Sequence, residues 1–409
     1  MHRHVTTKGP KGHAPTLTAC FLHFDVCFML WVLLGALGIF VAESAGMDAA
    51  QKGLLVAVPI LTGSLLRVPL GLLSDRIGGK RVGVGILVFL LLPLALGWRA
   101  GNTPSTLFVL GAMLGAAGAS FAVVLPLASR WYPADRQGLV MGIAAAGNSG
   151  TVLANVFAPR LANAVGWHNV FGLALLPLTI VLLMFVLMAK DSPDSAVARP
   201  VSHYLEALKQ ADTWWFCLFY CVTFGGYVGL SSFLPLFLRD RFAVSPVTAG
   251  SLTALAALVG SLARPLGGYL ADKVGGARLL QLLLLGIALT YTASARLPPL
   301  AIMESLLVFG MACLGMGNGA VFQLVPQRFH VEIGVATGVI GAVGGVGGFL
   351  LPMLLGRLKQ STGSFGPGFL VLALVACGAL VSLQALVAFR SGWRLSWRLA
   401  RASRRLGEL

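Results

Sequence analysis

The stretch Arg67 to Arg81, R-V-P-L-G-L-L-S-D-R-I-G-G-K-R, returns from Arg264 to Arg278 as R-P-L-G-G-Y-L-A-D-K-V-G-G-A-R, a shift of 197 residues. At that shift Asp75 falls on Asp272, Gly78 and Gly79 on Gly275 and Gly276, and Arg81 on Arg278. The register holds without gaps further on: Asp135 meets Glu332, Gly147 meets Gly344, Gly150 meets Gly347 and Arg160 meets Arg357. One unit has therefore been duplicated, and a fold made of two related halves follows.

The medium in which those halves sit is set by composition. Hydrophobic residues make up 57% of the 409 and charged residues 11%, with a mean hydropathy of +0.85. That leaves too little polar surface to coat a soluble globule of this size. Crossing a hydrocarbon core takes ~20 apolar residues, and such stretches recur along nearly the whole chain. About twelve spans are predicted, the first over residues 18–42 and the fifth over 138–160, giving an all-α membrane protein in two pseudo-symmetric six-helix halves. The division is 1–17 for an N-terminal tail, 18–189 for the first bundle, 190–211 for a linker with Pro193 and Pro200, 212–389 for the second bundle, and 390–409 for a basic tail.

A net charge of +16 raises the question of a nucleic-acid partner, and the distribution of charge excludes it. Twenty of the 30 lysines and arginines fall on the face shared by both chain ends, eight on the other, and the remaining two are Arg67 and Arg264. This asymmetry is the positive-inside rule, which puts both termini in the cytoplasm of a protein spanning the inner membrane. The tail from Arg390 to Arg405, with Trp393 and Trp397 between its arginines, reads as a helix lying on anionic lipid. All six cysteines fall in spans, without the pairing of a zinc site or disulfide framework, and read as buried apolar groups. No metal or cofactor is expected.

Two six-helix halves are what an alternating-access carrier needs, because they can rock against each other around a site at their interface. Gly71 to Arg81, G-L-L-S-D-R-I-G-G-K-R, resembles the loop motif of the major facilitator superfamily, and its degenerate copy stands where the second half should carry one. Asp75 with Arg76, and Asp272 with Lys273, are expected at the cytoplasmic gate. There an aspartate can cap the next helix or pair with a cation on a neighbouring helix end.

Arg67 and Arg264 lie eight residues before those aspartates, a helical distance of ~12 Å, and so close to the bilayer midplane. A charge there is costly, about 2.5–3.5 kcal/mol on insertion scales, and normally has a function. Pairing with a buried carboxylate is the alternative. The spans hold only Asp25 and Glu304 as acids, both read as near helix ends. Two fixed cations without a counter-ion favour a bound anion, and the guanidinium fork matches a planar oxyanion. The surroundings are too apolar for a sugar and lack a third cation for a highly charged anion. A small, weakly hydrated monovalent anion fits.

Ala144 to Asn155, A-A-A-G-N-S-G-T-V-L-A-N, and Gly341 to Pro352, G-A-V-G-G-V-G-G-F-L-L-P, resemble the paired signature helices of the nitrate/nitrite porter family. F-L-H-F-D-V-C-F-M-L-W-V (21–32) and T-F-G-G-Y-V-G-L-S-S-F-L-P (223–235) go with them. The signature glycines are Gly147, Gly150, Gly344, Gly345, Gly347 and Gly348. Close packing is the other reading of such helices, and approach of helix five to eight and of two to eleven is expected. The resemblance implies nitrate or nitrite as substrate, bracketed by an aromatic from each half; Phe121 and Tyr227 take those places by position, and Asn148 offers its amide.

Coupling stays open. Asp25 and His23 are the candidates for a proton, since a membrane carboxyl can titrate usefully once water is removed from it; a structural pairing for Asp25 is the alternative. Proton-coupled nitrate uptake is the expectation, with nitrate/nitrite exchange beside it and a small-carboxylate carrier (formate or oxalate) as the rival. An enzyme would need a nucleophile or metal cluster, and His168, His203 and His330 are isolated. A receptor would normally add a soluble domain. A monomer in contact with lipid is expected.

Overall fold

The computed structural model describes residues 12–100, 103–132, 140–141, 143–191, 208–329 and 333–394. It is all-helical over these residues, in twelve spans. We number them α1 (Ala14–Trp31, Leu33–Ala36 and Gly38–Ser44, with single-residue breaks), α2 (Ala49–Ile77), α3 (Gly79–Arg99), α4 (Pro104–Ser129), α5 (Ala146–Ser149 and Gly150–Val165) and α6 (Trp167–Met188). The second set is α7 (Ala211–Phe242), α8 (Pro246–Val274), α9 (Gly276–Ser294), α10 (Leu300–Arg328), α11 (Ile333–Thr362) and α12 (Gly366–Phe389). Eleven are long and apolar enough to cross a membrane, which makes this a multi-pass membrane protein. The twelfth, α5, joins a 3₁₀ turn at Ala146–Ser149 to an α-helix of 16 residues at Gly150–Val165.

Local chemistry sets the ends. Asp48 and Gln51 form a reciprocal capping box at α2, Thr103 and Thr106 do the same at α4, and Ser245 caps α8. Each satisfies backbone N–H groups that a helix start leaves unbonded. The duplicated loop turns on one glycine in each half, Gly78 at φ 99° and Gly275 at φ 96°, a conformation that a side chain would strain. The helices therefore reverse with almost no loop. Large apolar side chains such as Leu176, Leu187, Leu374 and Val381 stay exposed on the outside of the bundle, where only lipid would cover them.

At the face opposite the chain ends the first six helices are tied to the last six. Lys52 pairs with Asp240 at 2.9 Å and Glu43 with Arg239 at 3.4 Å. Arg160 donates to Ser251 at 3.0 Å, and the backbone N–H of Ala49 donates to Gln360 at 3.2 Å. Glycines bring backbones into contact at this end: Gly53 of α2 lies against Pro352 and Gly356 of α11, Gly250 of α8 against Asn155 of α5, and Gly35 of α1 against Ser232 of α7.

The face that carries the chain ends is organised differently. Asp75 at the end of α2 pairs with Arg130 beyond α4 at 2.5 Å, and Arg76 beside it is exposed. Asp191 caps α3 by accepting from the Lys80 backbone N–H at 2.9 Å. In the second half Asp272 accepts from Gln323 at 2.9 Å, and the Lys273 ammonium lies 4.3 Å from its own helix's Tyr269 ring. Asp135 and Glu332, matched by the repeat, lie outside the described residues, as do most of the linker and the tail beyond Arg394. The part of the tail that is described departs from the lipid-bound reading. Trp393 is 1% exposed and packs inside the bundle, because its ring has an aromatic pocket to enter and its indole N–H an acceptor in Asp212.

Candidate functional site

Ten residues separate Arg67 from Ile77 and Arg264 from Val274, ~15 Å of helix and half of a ~30 Å hydrocarbon core. Arg67 is 1% exposed. Its Nε donates to the Gly118 carbonyl at 3.1 Å and its Nη1 to the Gly341 carbonyl at 2.5 Å, across from α2 to α11. Arg264 is half-buried. Among the described residues neither arginine forms an ion pair, and Arg67 Nη2 and Arg264 Nη1 are buried without a hydrogen-bond partner. Close helix approach makes this geometry possible. Gly63 of α2 meets Gly115 and Gly118 of α4, and Gly260 of α8 meets Gly315 of α10, so Arg67 reaches the Gly118 carbonyl directly.

Four rings run in series from one side of the Arg67 guanidinium to the other. The Arg67 guanidinium is 5.1 Å from Phe121 and 5.0 Å from Phe224. Phe121 lies 6.3 Å from Phe322, Phe322 lies 4.9 Å edge-on to Tyr220, and Tyr220 stacks on Phe224 at 4.8 Å with planes 2° apart. Arg264 sits 5.9 Å over Phe322. The Tyr220 hydroxyl is buried without a partner at full hydrogen-bond geometry; it lies beside the Arg264 guanidinium, close enough to interact with it, and within electrostatic reach of Arg67. Ring faces stabilise the two cations as lipid cannot, while three N–H or O–H donors remain uncommitted between them.

The ring lying against Arg264 is Phe322 of α10, while Tyr227, expected to bracket the anion from the second half, lies within electrostatic reach of Arg264. The Tyr227 ring is buried against Gly260 of α8, its hydroxyl bonded to Ser261 at 2.6 Å and to the Ala257 carbonyl at 3.1 Å. Tyr220 and Phe322 were missed, although a signal existed. At a shift of 196 residues Phe24 and Phe28 of α1 fall on Tyr220 and Phe224 of α7, and both pairs are in ring contact, Phe24 and Phe28 at 4.6 Å with planes tilted by 60°. Phe322 has no such counterpart; Phe121 falls instead on Asn318.

The signature glycines divide by partner. On α5 Gly147 and Gly150 lie directly against the α1 backbone at Phe21, Asp25 and Met29. On α11 Gly344 and Gly347 lie against Tyr220 and Cys221 of α7, Gly345 against Ser64 of α2, and Gly348 between Ile60 and Gly225. Helices two and eleven do meet through these glycines. Helix five meets helix eight through Gly250 instead, because Gly147 and Gly150 point to α1. Asn148, 3% exposed, keeps its side-chain oxygen unpartnered in the 3₁₀ turn.

Asp25 does not lie near a helix end. It is eleven residues into α1, ~16 Å along the helix and two residues beyond His23, which reaches the Gly83 carbonyl near the start of α3. Its carboxylate accepts from the Ser149 hydroxyl at 2.5 Å, beside the first turn of α5 proper. His23 is fully buried: Nε2–H donates to the Gly83 carbonyl at 3.1 Å, Nδ1 faces the Cys27 thiol at 3.6 Å, and the ring packs on Phe185 at 4.7 Å. Both nitrogens are engaged, which joins α1 to α3. Glu304 stays near the start of α10, with both carboxylate oxygens unpartnered. No cluster of metal-ligating side chains occurs among the described residues.

Comparison with known proteins places this geometry. Residues 19–352 match the model of the Major Facilitator Superfamily. The chain is 35% identical over 356 residues to the nitrite extrusion protein of Bacillus subtilis, covering 87% of this chain and 89% of that protein. It is 32% identical over 381 residues to the probable nitrate transporter NarT of Staphylococcus epidermidis, covering 91% and 96%. The crystal structure of a bacterial homolog to the human lysosomal transporter Spinster, in an inward-facing and occupied conformation, superposes with a TM-score of 0.65 at 20% identity, covering 94% of this chain and 96% of that one.

Proposed function

This chain belongs to the Major Facilitator Superfamily, and from that premise we propose that it carries nitrate, nitrite or both across the cytoplasmic membrane by alternating access. One observation carries the reading: two mid-membrane arginines without carboxylate partners, enclosed by aromatic rings and offering uncommitted donors. A planar anion between guanidinium forks gains charge-assisted hydrogen bonds from both halves at once, while the rings exclude water. The names of the relatives, one for nitrite extrusion and one for nitrate transport, support the same substrate class.

The two-pair clasp opposite the chain ends and the repeat-related turns support rocking of the helix sets about this site. The basic excess assigns the face with the chain ends to the cytoplasm. Asp25, half-buried within α1 and bonded to the signature helix through Ser149, is the group through which a proton would be coupled; its protonation would weaken the hold on Ser149 and free α5. Exchange rests on a different argument, that two unpaired cations return more easily through the closed state with a second anion bound. The protein works as a monomeric carrier in lipid and performs no catalysis.

Flux of nitrate into proteoliposomes, with and without internal nitrite and with and without an inward proton gradient, tests the reading. Flux driven by the proton gradient alone establishes symport, and flux that requires internal nitrite establishes exchange. Absence of nitrate and nitrite flux in every condition refutes the reading and turns attention to formate or oxalate.

A further inference from the structure

We propose that Trp393 is a positioning residue for the anion site: clamped under α7, it holds the first segment of that helix at the angle that sets Tyr220 between the two arginines. The inference rests on reading that site as an anion site.

Segment Ala211–Tyr220 is a lever of ten residues, ~15 Å long. Its upper end is Tyr220, and immediately above it the helix changes to a π turn at Cys221–Gly225. Such turns interrupt the regular hydrogen-bond ladder and are common where helices work. Gly225 lies against the backbone of Gly344, Gly347 and Gly348, so the turn is seated on the second signature helix.

The lower end is held by the tail. Asp212 accepts from Trp393 Nε1 at 3.1 Å and from Arg390 at 3.3 Å, and lies 3.9 Å from Arg328 at the end of α10. The indole packs 5.0 Å from Phe216 and 6.0 Å from Phe219, while the Arg328 guanidinium covers it at 4.8 Å. Gly392 lies so close to Arg328 that a side chain there would collide. The indole thus grips the lever at Asp212, Phe216 and Phe219, and Phe216 is one turn below Tyr220. Any tilt of the lever must break the indole's hydrogen bond or its stacking, and it moves the Tyr220 hydroxyl relative to Arg67 and Arg264.

A role confined to covering the apolar helix ends would change stability alone. Positioning changes the site. In purified protein, Trp393→Ala is expected to weaken nitrate binding about two- to twelvefold, the worth of one misplaced hydrogen bond. Trp393→Phe, which keeps the stacking, should retain most of the affinity. In the Tyr220→Phe background Trp393→Ala should cost no further affinity. A second readout needs no substrate: Cys221, half-buried at the start of the π turn, should be alkylated faster in Trp393→Ala, followed by mass spectrometry of its peptide. Wild-type affinity and unchanged Cys221 reactivity in a folded Trp393→Ala protein overturn the proposal, as does a loss that multiplies with that of Tyr220→Phe. Failure of the wild-type protein to bind nitrate refutes the anion reading instead, and Cys221 reactivity still decides the clamp.

Discussion

Arg67 and Arg264 occupy equivalent places in the repeat, yet their surroundings differ. Arg67 is enclosed by Trp31, Phe121 and Phe224 and tied to two carbonyls, whereas Arg264 is half-buried over a single ring. Lysine at either position keeps the charge and loses the fork. Arg67→Lys and Arg264→Lys should each abolish uptake above background, since a charged hydrogen bond is worth about 1.5–3 kcal/mol, and Arg67→Lys also leaves the Gly118 or Gly341 carbonyl without its donor. Near-normal flux in either folded variant would remove the two-arginine site. On α1, Asp25→Asn keeps the shape of the Ser149 contact and removes the titration. Nitrate uptake by that variant should no longer respond to an imposed pH gradient; a response equal to wild type makes Asp25 structural.

Among elements, α5 and α11 share a signature and serve different neighbours. Gly150 lies directly against the Asp25 carbonyl and the Met29 backbone N–H, and backbone cannot yield as a flexible side chain can. Gly150→Ala should therefore separate α1 from α5. Overpacking of a well-filled interior costs about 1–3 kcal/mol, and the displacement carries Ser149 away from Asp25. A lowered Tm with loss of uptake is expected. Gly338→Ala on α11 is the control, because nothing lies within 4 Å of a side chain added there; wild-type stability and flux should result. If the two variants behave alike, close approach is not what these glycines provide.

At the scale of the molecule, closure of the face opposite the chain ends depends on two ion pairs of opposite sense. Adjacent residues Arg239 and Asp240 reach Glu43 and Lys52 on the first six helices. Exposed pairs are worth about 0–1 kcal/mol each, enough to shift a population without locking it. Asp240→Lys sets three cations together and should open this face, read as faster alkylation of a cysteine placed at Thr151. The added exchange Lys52→Asp should return the rate towards wild type. Failure of the charge swap to restore the rate would show that the pairs do not hold the gate.

Much of this architecture is legible in residue order because membrane burial and duplication leave coarse marks. Apolar runs define spans, the 197-residue shift relates the halves, and an arginine eight residues from a loop aspartate must lie deep. Asp25 escaped a correct placement because the start of α1 at Ala14 precedes the apolar run, so its depth depended on polar residues being helical. The aromatic series escaped because rings abound in membrane helices, and only packing tells which ones meet. Sequence by itself determined the medium, the two halves, the gate loops and the paired arginines, since each follows from hydropathy, charge and repetition along one chain. Tertiary structure alone decided that Tyr220 and Phe322 complete the aromatic series, that Gly147 and Gly150 face α1, and that Trp393 leaves the lipid for a pocket under α7. Those contacts join residues more than a hundred positions apart, and they depend on how helices rotate about their axes once glycines let them touch.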